Sequence, residues 1–295
     1  MGNTFDTQAL QAFITVAECQ SFSLAAHRLF LTQPAVSKRI AALEEQVGHR
    51  LFDRVGRQIQ LTQAGQLLLK RSYALFDMME DTRRDLDNLS GEVSGPLTLA
   101  TSHHIGLHRL PPYLRYYSQS HPKVKLDIHF GESEKAYEGV LQGYLEMAVI
   151  TLAPDPDPRL ESILLWQDEL CFAVSPEHPL ALLPEPTLGD LETYAAILPD
   201  QSTFTRQRVE NILQSNGVKL NLGVNTNNLD TIQMMVEIGQ GWSLLPRNLT
   251  QSLTVLPLLD TKIERPLGYI RHKERTLSNA AQAMMHLLAA PLPEI

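Results

Sequence analysis

The 295-residue chain lacks the features of exported, disulfide-linked and membrane proteins. Its two cysteines, Cys19 and Cys171, lie far apart in sequence, which argues against a disulfide framework and excludes a zinc site built from four cysteines. No uncharged apolar run approaches the ~20 residues that a membrane-spanning helix needs. The N-terminus lacks the charged lead and apolar run of a signal peptide. We therefore expect a cytoplasmic protein of about two domains that makes no contact with a membrane.

Motifs of catalysis are also missing. The sequence contains no GxSxG nucleophile elbow, no P-loop and no GxGxxG after a predicted strand. His104 and His108 stand four residues apart, but no third ligand accompanies them at a diagnostic spacing. We therefore predict no enzymatic activity, no metal and no cofactor. An α/β enzyme and a cytoplasmic solute-binding or sensor protein without a role at DNA stay open as alternatives.

The charge of the chain is unevenly distributed. The net charge is -8, yet residues 1–90 contain 10 basic and 10 acidic side chains. Residues 91–295 therefore carry the whole negative excess, and residues 21–57 hold six basic side chains against three acidic ones. A small cationic module joined to a larger acidic one is compatible with nucleic-acid binding by the N-terminal part.

The pattern of the first ninety residues predicts three short helices followed by a hairpin. Apolar positions repeat at helical spacing after Asp6, after Ser23 and after Thr32. We expect Asp6 or Thr7 to cap the first helix, Ser23 the second and Thr32 the third. Pro34 is tolerated in the first turn of the third helix, where its nitrogen needs no partner. Residues 51–61 alternate around a polar turn, as in a short hairpin. This order is that of a winged helix-turn-helix.

The first turn of the third helix has the chemistry that reading DNA requires. Gln33 can bridge an adenine edge through two hydrogen bonds, and Lys38 can contact a phosphate. A polar helix start without any ligand is the alternative. The predicted DNA-binding residues are Ser23, Thr32, Gln33, Pro34, Ser37, Lys38, Arg39, Arg54 and Arg57.

Five segments of this region together form a specific signature, namely Ser21-Phe22-Ser23, Ala25-Ala26, Gln33-Pro34-Ala35-Val36-Ser37, Leu51-Phe52 and Ala64-Gly65. Over about sixty residues the pattern closely resembles the N-terminal signature of the LysR-type transcriptional regulators. The resemblance implies sequence-specific binding of double-stranded promoter DNA, with DNA binding and bending modulated by a small-molecule effector. It also implies that Gln33, Pro34, Ser37 and Lys38 lie at the DNA and that Arg54 lies on the wing. Arg39 departs from the glutamine that is frequent in this family.

Residues 63–90 are predicted to form one long helix with an apolar seam. The predicted dimerisation residues on it are Leu68, Leu75, Met79 and Leu86. The alternative is that the seam packs against its own chain. The resemblance implies a linker helix that pairs two subunits, a dimer of dimers, and RNA polymerase as a further partner. We therefore divide the chain into a DNA-binding domain (1–62), a linker helix (63–90) and an effector-binding domain (91–295).

The C-terminal two hundred residues alternate apolar runs with helical stretches, which predicts parallel α/β sheets. The predicted strands include one at 170–175. By resemblance this is a two-lobed effector domain like the periplasmic binding proteins. We place lobe one at about 95–162 plus 265–295, and lobe two at about 163–264. The fold class is thus α+β multi-domain.

Hydroxyl-rich segments follow two of the predicted strands and open helices. Free amides and the helix dipole at such ends favour an anion, so we expect a carboxylate or similar small organic anion as effector. A plain helix cap without a ligand is the alternative at each position. The predicted effector-binding residues are Thr101, Ser102, His103, Ser133, Thr151, Ser202, Thr203 and Thr226.

Overall fold

The computed structural model describes residues 5–55, 58–259 and 262–291. The chain forms two compact units, Met1–Arg83 and Arg84–Ile295. One long helix passes through the boundary between them. Over the described ranges, no helix combines the length and the apolar composition that crossing a membrane requires.

The first unit contains three helices, a hairpin and the start of the long helix. These elements are α1 (Thr7–Cys19), α2 (Phe22–Arg28), α3 (Gln33–Val47), β1 (Phe52–Val55), β2 (Gln58–Leu61) and α4 (Gln63–Asn88). Asp6 caps α1 and Thr32 caps α3, as predicted. The predicted cap of α2 is wrong: Ser21, not Ser23, caps this helix and accepts a hydrogen bond from the Leu24 nitrogen at 3.3 Å. The reason is that Ser21 has the extended backbone of a cap residue, whereas Ser23 is already helical.

One apolar cluster holds the first unit together. Phe13 of α1, Ala25 of α2 and Leu43 of α3 are almost completely buried in it. The hairpin is attached to α3 because Glu44 accepts a hydrogen bond from the Leu51 nitrogen at 2.7 Å. One side of α3 is therefore buried in the core of the first unit, and the first turn of α3 lies on the surface.

The second unit contains the remaining elements. They are β3 (Gly95–Ser102), α5 (His103–His108), α6 (Pro111–Ser120), β4 (Val124–Gly131), α7 (Ser133–Leu141), β5 (Met147–Thr151), β6 (Leu160–Val174), β7 (Ala196–Leu198), α8 (Phe204–Ser215), β8 (Leu222–Asn225), α9 (Leu229–Glu237), β9 (Ser243–Pro246), β10 (Thr254–Val255), β11 (Ile263–His272) and α10 (Asn279–Ala289). Short 3-10 turns occur at Pro179–Leu182, Leu188–Thr193 and Arg247–Leu249.

The main sheet of this unit is mixed, which corrects the prediction of parallel sheets, whereas the small sheet of β7 and β8 is parallel. The main sheet has the order β10-β6-β11-β5-β3-β4, and β9 also pairs with β6. Only β3 with β4, β3 with β5 and β7 with β8 are parallel pairs in the described sheets. The predicted strand at 170–175 is also too short, because β6 begins at Leu160, directly after the prolines at 154, 156 and 158. The residues of β6 from Glu161 to Gln167 are exposed or only partly buried. The polar residues 167–169 separate the apolar run at 163–166 from the run that was predicted as a strand.

Two lobes result, and the long strands β6 and β11 run through both. In lobe one, Leu97, Met147 and Met284 are buried on one face of the sheet, and Val140 is buried on the other. In lobe two, Trp242 lies in the larger of two clusters. Because β6 and β11 pair along ten residues, the waist between the lobes is a two-stranded ribbon.

Candidate functional site

The first turn of α3 is exposed and firmly capped. Thr32 accepts a hydrogen bond from the Ala35 nitrogen at 3.4 Å, and Gln33 and Pro34 are exposed beside it. The Gln33 side-chain amide donates to the Ser37 hydroxyl at 3.0 Å. Lys38 is exposed one residue further on. Short polar groups and a cation thus lie together at the start of a helix, which is the arrangement that enters a major groove.

The other predicted DNA-binding residues differ in their exposure, in their hydrogen bonds and in how much of them the structure describes. Ser23 is exposed in the first turn of α2. Arg39 donates to the Gln8 side chain at 2.9 Å, so this guanidinium is tied to α1. Arg54 lies in β1 with its side chain outside the described part of the structure, and Arg57 lies outside the described residues.

The predicted seam of α4 divides into two parts. Leu75, Met79 and Leu86 are exposed at a spacing of four and seven residues. Leu68 is half-buried and packs against the core of the first unit. The N-terminal part of α4 packs against the core of the first unit. The exposed part of the seam therefore begins after Leu68.

A cavity of about 530 Å³ lies between the lobes of the second unit. The N-terminal turns of α7, α8 and α9 face it, together with the carboxyl end of β3. It brings together six of the predicted effector-binding residues, which are Ser102, His103, Ser133, Thr151, Thr203 and Thr226. We call this cavity the cleft.

Two predicted effector-binding residues do not line the cleft. Thr101 is fully buried, and its hydroxyl donates to the Val149 carbonyl at 2.8 Å, so the neighbouring strand takes its hydrogen bond. Ser202 is exposed and donates to the Asp200 carboxylate at 3.2 Å. Alternate residues of a strand point their side chains to opposite sides of the strand. The prediction used only the position of each residue near the end of a strand, so it could not tell which side chains face the cleft.

Two carboxylates from α7 and the residue before it connect the lobes across the cleft. Glu134 accepts a hydrogen bond from the Phe204 nitrogen at 2.7 Å, at the start of α8. Glu132 accepts one from the Asn227 side chain at 2.7 Å. Hydrogen bonds from Lys135 and then from Asn227 lower the pKa of Glu132. The helix start that was predicted to hold an effector's negative charge is thus bonded to a carboxylate of the chain itself.

A buried charge cluster occupies the waist where β6 and β11 pair. Asp168 is 3% exposed, and its carboxylate lies 2.5 Å from Arg265 Nη2 and 3.3 Å from Arg109 Nη2. His104 Nε2 lies 3.5 Å from the same carboxylate, which is long for a good hydrogen bond. The Nε of Arg265 is buried and has no hydrogen-bond partner among the described residues. Arg265 and His104 both line the cleft.

The pKa values of the cluster follow from burial and charge together. Burial acts to raise the pKa of Asp168, but the interaction with His104 and the positive charge of Arg265 outweigh it, so this pKa lies well below its ordinary value. Burial lowers the pKa of His104 and of Arg265. These directions favour a carboxylate at Asp168, beside the guanidinium groups of Arg265 and Arg109, and a neutral imidazole at His104.

Sequence reasoning missed this cluster because its members are 59 and 97 residues from Asp168 in the chain. No local signal singled out the pair, because Glu169 stands beside Asp168 in β6 and Glu264 stands beside Arg265 in β11. Among the described residues, no group of three or more histidine, cysteine, aspartate or glutamate side chains is arranged to hold a metal ion.

Comparison with known proteins links both units to one family. Residues 7–66 match the model "Bacterial regulatory helix-turn-helix protein, lysR family", and residues 90–292 match "LysR substrate binding domain". An uncharacterized HTH-type transcriptional regulator from the ibpB-leuC intergenic region of Azotobacter vinelandii is 67% identical over 107 residues, which are 36% of this chain and 74% of that protein.

Two solved structures share the fold. Full-length CbnR, solved in complex with its target DNA, is 20% identical, with a TM-score of 0.62 over 97% of this chain and 99% of that one. The effector-binding domain of QuiR, solved in complex with shikimate, is 19% identical, with a TM-score of 0.60 over 66% of this chain and 96% of that one.

Proposed function

The chain belongs to the LysR family of DNA-binding transcriptional regulators, and from that membership we propose that α3 reads promoter DNA while the cleft binds a small organic effector. LysR regulators bind promoter DNA and small-molecule effectors and form oligomers, and the homologues are regulators, not enzymes. The observation that carries the proposal for DNA is the capped, exposed start of α3.

Gln33 is the proposed base reader. Its side chain is exposed, and the hydrogen bond to Ser37 at 3.0 Å holds its amide beside the helix rather than free in solvent. An amide presented in this way can make two hydrogen bonds to one adenine. Pro34 adds an exposed apolar surface next to it, and Lys38 contributes a charge that suits a phosphate.

The test is a comparison of Gln33→Ala with Gln11→Ala, an exposed glutamine on α1. Binding to the DNA upstream of the protein's own gene is measured by fluorescence anisotropy, together with single base-pair variants of the site. We expect Gln33→Ala to lose roughly 1–3 kcal/mol of discrimination at one position per half-site. An equal weakening on every sequence would remove Gln33 from the base readers.

We propose that two subunits pair through the exposed seam of α4. Leu75, Met79 and Leu86 give this helix an apolar stripe that it does not bury within the described part of its own unit. A dimer places two reading helices on the two halves of a palindromic site. Two dimers can bend the DNA between adjacent sites, and an effector then shifts this arrangement only by its difference in affinity for the two states.

The effector in the cleft is proposed to be a small organic anion. The support is the unpartnered Arg265 Nε together with the amides at the starts of α7 and α9. An anion that enters must compete with Glu134 for the Phe204 nitrogen. The complex of QuiR with shikimate supports a small organic molecule in the corresponding domain.

This assignment is tested by thermal-shift screening of small carboxylates and amino acids against the full chain. The best hit is then titrated against Thr226→Val, which removes a hydroxyl from the cleft, and against Ser202→Ala, whose hydroxyl lies outside it. We expect Thr226→Val to weaken binding and Ser202→Ala to leave it unchanged. The reverse result would place the effector elsewhere.

A further inference from the structure

A second cavity lies in the effector unit and is separate from the cleft. Its volume is about 630 Å³, and it lies between α8 and the residues at the start of β11. Thr151, Thr205 and Arg265 line both cavities and thus form the wall between them. The cleft's helix starts α7 and α9 do not contribute to this second cavity among the described residues.

The two cavities differ in their charged side chains. The described lining of the cleft mixes the carboxylates of Glu132, Glu134 and Asp230 with the cations of Lys135 and Arg265. Every charged side chain in the described lining of the second cavity is basic, and these are Arg208, Lys262 and Arg265. A cavity with positive charge and low-dielectric walls concentrates negative ions.

Two of the three cations of the second cavity have no ion-pair partner among the described residues, and the third, Arg265, is paired with Asp168. Arg208 is half-buried, and neither Arg208 nor Lys262 forms a hydrogen bond or ion pair with another described residue. Lys262 acts through space on Glu169, but Glu169 is already paired with Arg247 at 2.7 Å and does not line the cavity. The third cation, Arg265, is buried and leaves its Nε without a partner among the described residues.

A neutral donor completes the site. Asn211 lies three residues after Arg208, so α8 presents both on one face. Ser215 follows on the same face, but its hydroxyl donates to the Asn211 carbonyl at 2.7 Å. The apolar side chains of Leu152 and Ile263 also line the second cavity. Guanidinium groups and amide donors beside an apolar wall suit a compact anion with several acceptor oxygens.

We propose that this second cavity binds a small anion with two or more negative charges, of the phosphate or dicarboxylate type. The site is additional to the effector cleft and does not depend on the identity of the effector. Since Thr151, Thr205 and Arg265 belong to both cavities, an anion bound here contacts the wall of the cleft directly. The regulator thus has a binding site for a second small ligand besides the effector.

The experiment is isothermal titration of the full chain with inorganic pyrophosphate and, separately, with succinate. The buffer contains no phosphate or sulfate, and sodium chloride keeps the ionic strength constant. We expect saturable binding of at least one probe, and the probe that binds identifies the phosphate or the carboxylate source. Absence of saturable binding by both probes would overturn the proposal.

Variants locate the site. Arg208→Gln and Lys262→Gln are each expected to weaken binding about tenfold or more, the effect of removing one charge-assisted hydrogen bond. Arg115→Gln, which removes an exposed arginine from α6, is the matched control and leaves the affinity unchanged. Thr226→Val in the cleft also leaves it unchanged. Equal affinity in all variants, or a loss in Arg115→Gln or Thr226→Val as large as that in Arg208→Gln, would refute the second site.

Discussion

The charge cluster at the waist leads to a sharp prediction about stability. The substitution Asp168→Asn keeps the size of the side chain and one oxygen acceptor but removes the negative charge. Arg265 is 5% exposed, and its partner at 2.5 Å is Asp168. The variant therefore contains a buried guanidinium that faces a neutral amide.

The expected cost follows from burial. Removing one partner of a buried ion pair typically costs ~3–5 kcal/mol, because an uncompensated charge stays buried. The asparagine oxygen still accepts a hydrogen bond, so we expect a loss near the lower end, about 3 kcal/mol. The neighbouring Glu169→Gln is the control. Its partner Arg247 lies at 2.7 Å, but both side chains are partly exposed, so the loss should be within ~1 kcal/mol.

The chain offers a specific optical probe for this measurement. Its two tryptophans, Trp166 and Trp242, both lie in the second unit. Urea denaturation followed by tryptophan fluorescence therefore reports on the effector unit alone. A loss for Asp168→Asn no larger than that for Glu169→Gln would refute the idea that the waist depends on a paired buried charge.

The same pair predicts a pH dependence with a definite sign. The pKa of Asp168 is depressed in the folded state. A carboxyl group whose pKa is lower in the folded state stabilises the fold at pH values above its unfolded pKa of about 3.9. This contribution is lost as the pH falls toward the folded pKa. The stability difference between the parent chain and Asp168→Asn should therefore be complete at neutral pH and should shrink below about pH 4.

Two further substitutions test other parts of the molecule. Gly65→Ala should lower the melting temperature of the first unit in circular dichroism, since a Cβ there would lie 2.2 Å from the Leu51 carbonyl oxygen. Gly131→Ala is the control, because its Cβ meets nothing within 4 Å and the melting temperature of the effector unit should stay unchanged. A Gly65→Ala variant that melts like the parent chain would disprove the close packing. Met79→Lys should shift the oligomer toward smaller species in sedimentation, because it places a charge on the proposed seam. Ala74→Lys should not, because Ala74 is exposed five residues earlier and therefore lies on a different face of α4; if both variants behave alike, the seam is not the interface.

Local patterns in the sequence were enough to predict much of the first unit. The capping residues Asp6 and Thr32, the proline in the first turn of α3 and the hairpin after Leu51 all depend on hydrogen bonds and periodicities within a few residues. The helix α4 and the break after it were predicted for the same reason. The cap of α2 was misplaced by two residues because both Ser21 and Ser23 can cap a helix.

In the effector unit the two lobes were expected from the family resemblance, and six of the eight residues predicted to bind an effector line the cleft. It could not show that the Thr101 hydroxyl is taken by Val149, since that depends on which strand lies beside β3. The strand order also brings Glu134 to the start of α8, 70 residues later in the chain.

By itself the sequence thus determined the helix-turn-helix, the long helix and the alternation of strands with helices, because short-range hydrogen bonds and apolar spacing encode them, whereas the two lobes were expected from the family resemblance. Only the tertiary structure decided which polar groups meet. Asp168 and Arg265 are 97 residues apart and come together because β6 and β11 pair through the waist. The difference between the mixed charges of the cleft and the basic side chains of the second cavity has the same origin, since strand order and helix packing, and not nearness in sequence, place their lining residues.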